Sequence, residues 1–389
     1  MISVLLKGAN NIRSWPLLLL VGSTGCSPDG TEQVSRAPGE SIEQWTIVED
    51  LRIGAIEGSE AETFSQIRGI LVDRQGQILV LDFVAQEIRV FSPEGAHMAT
   101  LGRKGSGPGE FRQANGMAWA TDGNLYVNDP RNGRVMVLST GGQEITTYRR
   151  FVSSWGYTWE GGVDSLGRLY DYAIERTVRF DRSPGVKVEP QWVLVRYDPA
   201  TQGVDTISFP QGEVTYLRTS RGAVSVPFAP GNLYAFEPSI GHIWFAHTAT
   251  YRITEATLDG DTVRVFERDV DPEPLTAADR ESAMESLARI MEGRGHVDFN
   301  PSMLPSHKPV LRHFFRATNG QLWVRLESRD TSVSHDVFNS EGVWIAQARV
   351  PSSYRPYPRP VVTDRYFYAV TTDSLGVSYV VRGRIDRER

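Results

Sequence analysis

Ile67-Arg68-Gly69-Ile70-Leu71-Val72-Asp73, Gln75-Gly76-Gln77-Ile78-Leu79-Val80-Leu81-Asp82, Ile88-Arg89-Val90-Phe91 and Pro93-Glu94-Gly95 form a passage that the chain writes twice. The second copy reads Asn115-Gly116-Met117-Ala118-Trp119-Ala120, Asp122-Gly123-Asn124-Leu125-Tyr126-Val127-Asn128-Asp129, Arg134-Val135-Met136-Val137-Leu138 and Gly141-Gly142. Gly69 and Gly116 stand 47 residues apart, as do Gly76 and Gly123, and Asp82 and Asp129. Each copy sets β-rich runs between glycine turns, the rhythm of a small antiparallel sheet. One such sheet cannot bury both of its faces. Stacked radially on its neighbours it can, and a period in this range predicts propeller blades.

Fainter copies follow. Val163-Asp164-Ser165-Leu166-Gly167-Arg168-Leu169-Tyr170 is the third, with partner strand Trp192–Tyr197. Ser239-Ile240-Gly241-His242-Ile243-Trp244-Phe245 is the fourth, and Thr318-Asn319-Gly320-Gln321-Leu322-Trp323-Val324 the fifth. Val361–Val370 with Val377–Val381 reads as the sixth, where Arg365 replaces the turn glycine. The fold class is therefore all-β, a six-bladed β-propeller of four-stranded antiparallel blades over residues 45–389. Strand Trp45–Ile53 is expected to complete the last blade and fasten the ring. One helical insertion interrupts the pattern at 276–293. Thr276 can cap it, Ala283, Met284, Leu287, Ile290 and Met291 share a face, and Gly293 is expected to end it. It packs on the outside of the ring or over one mouth.

The stretch Gly105-Ser106-Gly107-Pro108-Gly109-Glu110-Phe111, with Gly116-Met117-Ala118, Asp122–Asp129 and Asn132-Gly133-Arg134-Val135, resembles the NHL-repeat family. The resemblance covers about two blades and implies a propeller, often of six blades. It implies no single function, since propellers serve as enzymes, scaffolds and receptors.

Lys7 and Arg13, the short apolar run Trp15–Val21 and Gly22-Ser23-Thr24-Gly25 before Cys26 have the layout of an export signal. The segment 1–25 resembles a bacterial lipoprotein signal, although Ser23 stands where that family favours Leu. The resemblance implies acylation of Cys26 and anchoring to the membrane of the cell envelope, on the extracytoplasmic side. Residues 26–44, rich in Ser, Pro, Gly and Glu, read as a flexible tether. Cys26 is the single cysteine, so the chain can form no internal disulfide. A net charge of −6 leaves no basic surplus for phosphates and argues against a nucleic-acid partner. A monomeric ring is expected.

Catalytic signatures are sparse. No Gly-x-Ser-x-Gly elbow occurs. His97, His242, His247, His296, His307, His313 and His335 contain no His-x-x-x-His pair. Asp259-Gly260-Asp261 lacks the spacing of a calcium loop and reads as a hairpin turn. Gly102–Gly109 lacks the Gly-Lys-Ser/Thr ending of a phosphate loop and reads as a flexible inter-blade connection. No cofactor is expected, and no motif supports a channel calcium or zinc.

The repeat itself points to a binding site. Residues just before each inner strand surround one mouth of the channel in the resembling family. Counting eight back from each turn glycine lands on Arg68, Asn115, Trp159, Leu233 and Arg312, with Tyr357 at the equivalent place in blade VI. Tyr234, His313 and Arg359 adjoin these positions. The candidate site is Arg68, Asn115, Trp159, Tyr234, Arg312, His313 and Tyr357, a mix of cationic, amide and aromatic groups suited to an anionic or sugar-like ligand. The leading function is an envelope-anchored binding or scaffold module for a protein, small-molecule or glycan ligand. The alternative is a propeller hydrolase or lyase, lactonase-like or amidating-lyase-like, with a channel metal.

Overall fold

The computed structural model describes residues 32–34, 42–150, 158–174, 186–188, 192–219, 222–296, 299–326, 333–350 and 354–388. The signal-like segment, Cys26 and residues 151–157 lie outside them.

Six four-stranded antiparallel blades follow one another along the chain. Their innermost strands are Ile67–Val72, Gly116–Trp119, Gly162–Val163, Asn232–Glu237, Leu311–Arg316 and Val361–Val362, in blades I to VI. Blade VI takes its outermost strand from the other end of the chain: Glu43–Ile53 pairs antiparallel with Ser378–Glu388. The first residues of that strand also pair in parallel with the outermost strand of blade V, Glu43 to Thr46 against Ala346 to Arg349. The ring is therefore closed by its N-terminal strand. Part of the stretch expected as a tether is also paired, Glu32–Val34 lying parallel to Arg264–Phe266 at the edge of blade IV.

Apolar side chains fill the wedges between blades. Leu79, Leu81 and Ile88 of blade I meet Met117, Leu125, Val127 and Met136 of blade II. The other seams repeat the arrangement, so each blade buries both faces only because it has two neighbours.

The 47-residue spacing has a polar cause as well. Asp82 is fully buried and ends the second strand of blade I. Its carboxylate accepts from the backbone N–H groups of Ser65 at 2.9 Å, Gln66 at 3.3 Å, Val84 at 3.0 Å and Ala85 at 3.3 Å. Asp129 does the same in blade II, accepting from Gln113 N at 2.9 Å and from the Asn132 amide at 2.7 Å. Each aspartate pins the connection that enters its own blade's inner strand. The glycine-rich lead-in is tied down in the same way, and is not a flexible connection. Glu110 accepts from Gly107 N at 2.8 Å, and Arg134 donates to Gly107 O at 2.8 Å. Gly102 holds φ +73, and a Cβ there would stand 2.2 Å from the ring of Phe111.

The helix runs Ala277–Arg294 behind a capping box made by Thr276 and Asp279. It continues through Gly293 and stops at Gly295, whose φ of +82 suits a glycine. Ala283 and Leu287 are buried against Leu217, Val226, Leu275 and Leu304, whereas Met284 is exposed and leaves the expected face.

Strand alternation places this insertion. Within a blade the chain passes from inside to outside, so first-to-second and third-to-fourth turns share one face of the ring. Second-to-third loops and the crossings between blades share the other. Lys187 and its strand Val186–Val188 lie in a second-to-third loop, and Val214–Ser225, Leu275–Ser306 and Tyr354–Pro360 lie in crossings. All of these insertions therefore gather on one face, and the helix packs on the strand Val214–Thr219 there.

Asp82→Ala leaves four backbone donors without their acceptor and removes the carboxylate 3.7 Å from the buried Arg89. Urea unfolding is expected to show a loss of about 2–4 kcal/mol, with Asp82→Asn losing less because one oxygen acceptor remains. A loss under about 1 kcal/mol for the alanine variant would contradict this role.

Candidate functional site

Glu160 and Arg359 each stand two residues before an inner strand, those of blades III and VI. In a ring of six these blades are opposite, so a contact between the two residues crosses the channel. Arg359 Nη2 donates to Glu160 Oε2 at 2.7 Å and to the carbonyl of Tyr234, on the inner strand of blade IV, at 3.0 Å. The Glu160 and Arg359 side chains keep only 14% and 21% of their surface open.

Aromatic rings enclose the pair. Tyr172 packs on Tyr234 with centroids 4.5 Å apart, and Phe209 and Trp192 flank Tyr234 at 5.5 and 5.8 Å. On the blade V side Tyr357 and His313 form a T-shaped pair with ring centroids 5.6 Å apart. Tyr357 is 45% exposed and forms the outer rim of the cluster.

Burial sets the protonation states. It raises the Glu160 carboxyl above the usual range against the opposing charge of Arg359. It drives the His313 imidazole down to about 3, helped by the charges of Arg359 and Arg325, so His313 is neutral at neutral pH. Burial also pushes the Tyr357 phenol up to about 12. Asp171, next to Tyr172 in the chain, is raised to about 7 by burial, in opposition to Arg150.

Among the described residues, four polar atoms in this cluster have no hydrogen-bond partner: Glu160 Oε1, Tyr172 Oη, His313 Nδ1 and Arg359 Nε. Tyr172 Oη lies within the field of Arg359 but outside hydrogen-bond geometry. Buried orphans of this kind cost about 1–3 kcal/mol each and are few in native proteins. Four in one cluster mark a place where an incoming group can complete the hydrogen bonding.

Of the residues expected from the repeat, Tyr234, His313 and Tyr357 meet here, with Arg359. Trp159 and Asn115 lie in the seam between blades II and III. Trp159 N donates to Asn115 O at 3.1 Å, its indole N–H donates to Tyr170 O at 2.9 Å, and the Asn115 side chain accepts from Asn128 at 2.9 Å. That seam explains Gly116, where a Cβ would stand 2.6 Å from Trp159 O. Arg68 and Arg312 sit at matching bulges in the inner strands of blades I and V. Arg68 lies over the ring of Phe83 at 4.5 Å, and Arg312 is exposed. Glu160 and Tyr172 were not anticipated. Glu160 stands seven residues before Gly167, as Tyr234 stands seven before Gly241 and His313 seven before Gly320, whereas the count of eight lands one position earlier in each blade, on Trp159, Leu233 and Arg312. Among the described residues, no three His, Cys, Asp or Glu side chains are grouped to hold a metal ion, and no helix is long and apolar enough to cross a membrane.

The pH dependence of stability follows from Asp171. Its folded value lies above the ordinary 3.8, so between about 4 and about 7 the folded state holds a proton that the unfolded chain releases. Stability falls as pH rises through that window. Asp171→Asn imitates the protonated form, so its melting temperature relative to wild type is expected to be about 3 °C or more higher at pH 8 than at pH 5. A difference unchanged between the two pH values would contradict the assignment.

Comparison with known proteins agrees on the fold. A family model described as a 6-bladed beta-propeller, DUF5128, matches residues 53–151. No curated protein matches the sequence. The crystal structure of a DUF4221 family member from Bacteroides vulgatus superposes with a TM-score of 0.52 at 11% identity, covering 90% of this chain and 100% of that one. A Bacteroides fragilis protein designated as exported superposes with a TM-score of 0.50 at 11% identity, covering 92% and 98%. At such identity the likeness extends to the fold alone. The chain is a six-bladed β-propeller of four-stranded antiparallel blades with one helical insertion.

Proposed function

We propose that this chain is an NHL-type propeller, lipid-anchored through Cys26 on the extracytoplasmic side of a bacterial membrane, that binds a small polar ligand at the face where its blade crossings gather. The observation that carries the reading is the Glu160–Arg359 pair across the channel, with four unpartnered polar atoms and three tyrosine rings around it. Preformed sites of this make-up, mostly aromatic with a few convergent polar groups, suit small ligands. The export part rests on the layout of residues 1–26, and is supported by the likeness in fold to a Bacteroides protein designated as exported. Binding and scaffolding need no further machinery. A metal-dependent hydrolase or lyase would need converging donors, and the described residues show no group of three.

The full-length protein tests both parts. Cys26→Ala is expected to shift the protein from the membrane fraction to the soluble fraction, since the acyl chains supply the attachment. In a thermal-shift screen of small polar metabolites and glycans, at least one compound is expected to raise the melting temperature of wild type, with the shift lost in Tyr357→Ala. Membrane retention of the Cys26→Ala protein would contradict the anchor. Shifts unaffected by Tyr357→Ala would contradict the site.

A further inference from the structure

The four unpartnered atoms differ in what they require. Glu160 Oε1 can only accept while the carboxylate is ionised, and Arg359 Nε can only donate. Tyr172 Oη and the neutral His313 Nδ1 complete a set of mixed character. An anion would satisfy Arg359 but face the Glu160 carboxylate, and a cation would do the reverse. An apolar ligand would leave all four as they are. A hydroxyl group both donates and accepts, and two adjacent hydroxyls can serve an acceptor and a donor held side by side in one ion pair. Glu160 and Arg359 also neutralise each other, so the pair presents polarity without net charge. The surrounding cations have other neighbours: Arg68 lies over Phe83, Arg325 over Tyr354 and Arg150 beside Asp171. The aromatic lining adds flat apolar faces of the kind that pack against the C–H face of a sugar ring.

We propose that the Glu160–Arg359 pair receives two adjacent hydroxyls of a neutral carbohydrate, one donating to Glu160 Oε1 and the other accepting from Arg359 Nε, with Tyr357 against the sugar ring. The inference rests on the reading above that this mouth binds a small ligand, and narrows its chemistry. Tyr357 is the one exposed ring of the cluster and meets His313 in a T-shaped contact with centroids 5.6 Å apart. Rotation of its side chain uncovers the atoms beneath, and the same ring then stacks on the incoming sugar.

Saturation-transfer NMR on the purified full-length protein tests this with cellotriose, xylotriose and mannotriose as neutral probes and trigalacturonate as the anionic one. At least one neutral trisaccharide is expected to bind. Its Kd is expected to rise about tenfold or more in Glu160→Gln and in Tyr357→Ala, while Tyr357→Phe, which keeps the ring, stays within about threefold of wild type. Tyr357→Ala keeps the test informative should Glu160→Gln fail to fold. Binding of trigalacturonate alone, lost in Tyr357→Ala, would overturn the neutral-sugar inference and leave the mouth as a ligand site. No saturation from any probe, with a different compound class found by thermal shift at the mouth, would also overturn the inference alone. Neutral-sugar binding unchanged in both variants would place the sugar elsewhere and overturn the inference outright.

Discussion

Strand Glu43–Ile53 hydrogen-bonds to the end of the chain along nearly its whole length, and its first residues reach the edge of blade V. Without it blade VI would lack its outermost strand, and the seam in which Ile67, Ile78 and Phe91 of blade I meet Tyr368, Val370 and Val380 of blade VI would lose Ile53. Everything at the channel depends on that closure. Glu160 and Arg359 are 199 residues apart in sequence, and meet because a closed ring of six sets their blades opposite each other. Tyr234 and His313 join them from two further blades. A site assembled from four blades has no local sequence signature, and its geometry is only as fixed as the ring.

The channel cluster concentrates unpartnered polar atoms that elsewhere among the described residues occur singly or in one neighbouring pair, His335 and Asp336. At the seams between blades many buried polar groups are satisfied: Asp82 and Asp129 collect backbone donors, and Asn115 and Asn128 pair with each other, while single atoms of Trp119, His335 and Asp336 lack partners among the described residues. At the mouth, an ion pair is held with little solvent and four polar atoms nearby lack partners among the described residues. Desolvation of such a pair can match or exceed the attraction within it. A propeller could fill the same volume with apolar side chains, as it does between its blades. Retaining charge and orphaned hydrogen-bonding groups there makes sense if they meet something that enters.

The fold was legible because two blades keep their physical reasons in register. The spacing of Gly76 and Gly123, and of Asp82 and Asp129, reflects turns with positive φ and buried carboxylates that cap connections. The later blades place other residues where those aspartates stand, so only their turn glycines remain visible. The helix was readable from Thr276 and its apolar spacing, but its end was misplaced because Gly293 tolerates helix while Gly295 takes a positive φ of 82 with an extended ψ. The mouth was partly legible: counting from the turn glycines landed next to Tyr234 and His313, each seven residues before its glycine, and on Tyr357. Glu160 shares that spacing from Gly167 but escaped because it adjoins Trp159, whose ring drew the reading, and Tyr172 escaped because it comes from a second strand whose side chains bear on the cluster only in three dimensions. The Gly102–Gly109 connection read as flexible from composition alone, because the residues that tie it down, Arg134 and Glu144, are distant in sequence.

The claim that the Glu160–Arg359 pair is kept for binding and not for stability is tested most directly by a double-mutant cycle. Glu160→Met, Arg359→Met and the combined variant would be compared with wild type by equilibrium urea unfolding. The account predicts that each single variant loses about 3 kcal/mol, because each strands a buried charge, while the double variant is within about 1 kcal/mol of wild type or more stable. A double variant that loses about 3 kcal/mol or more would show that the pair holds the ring together, and would contradict the account.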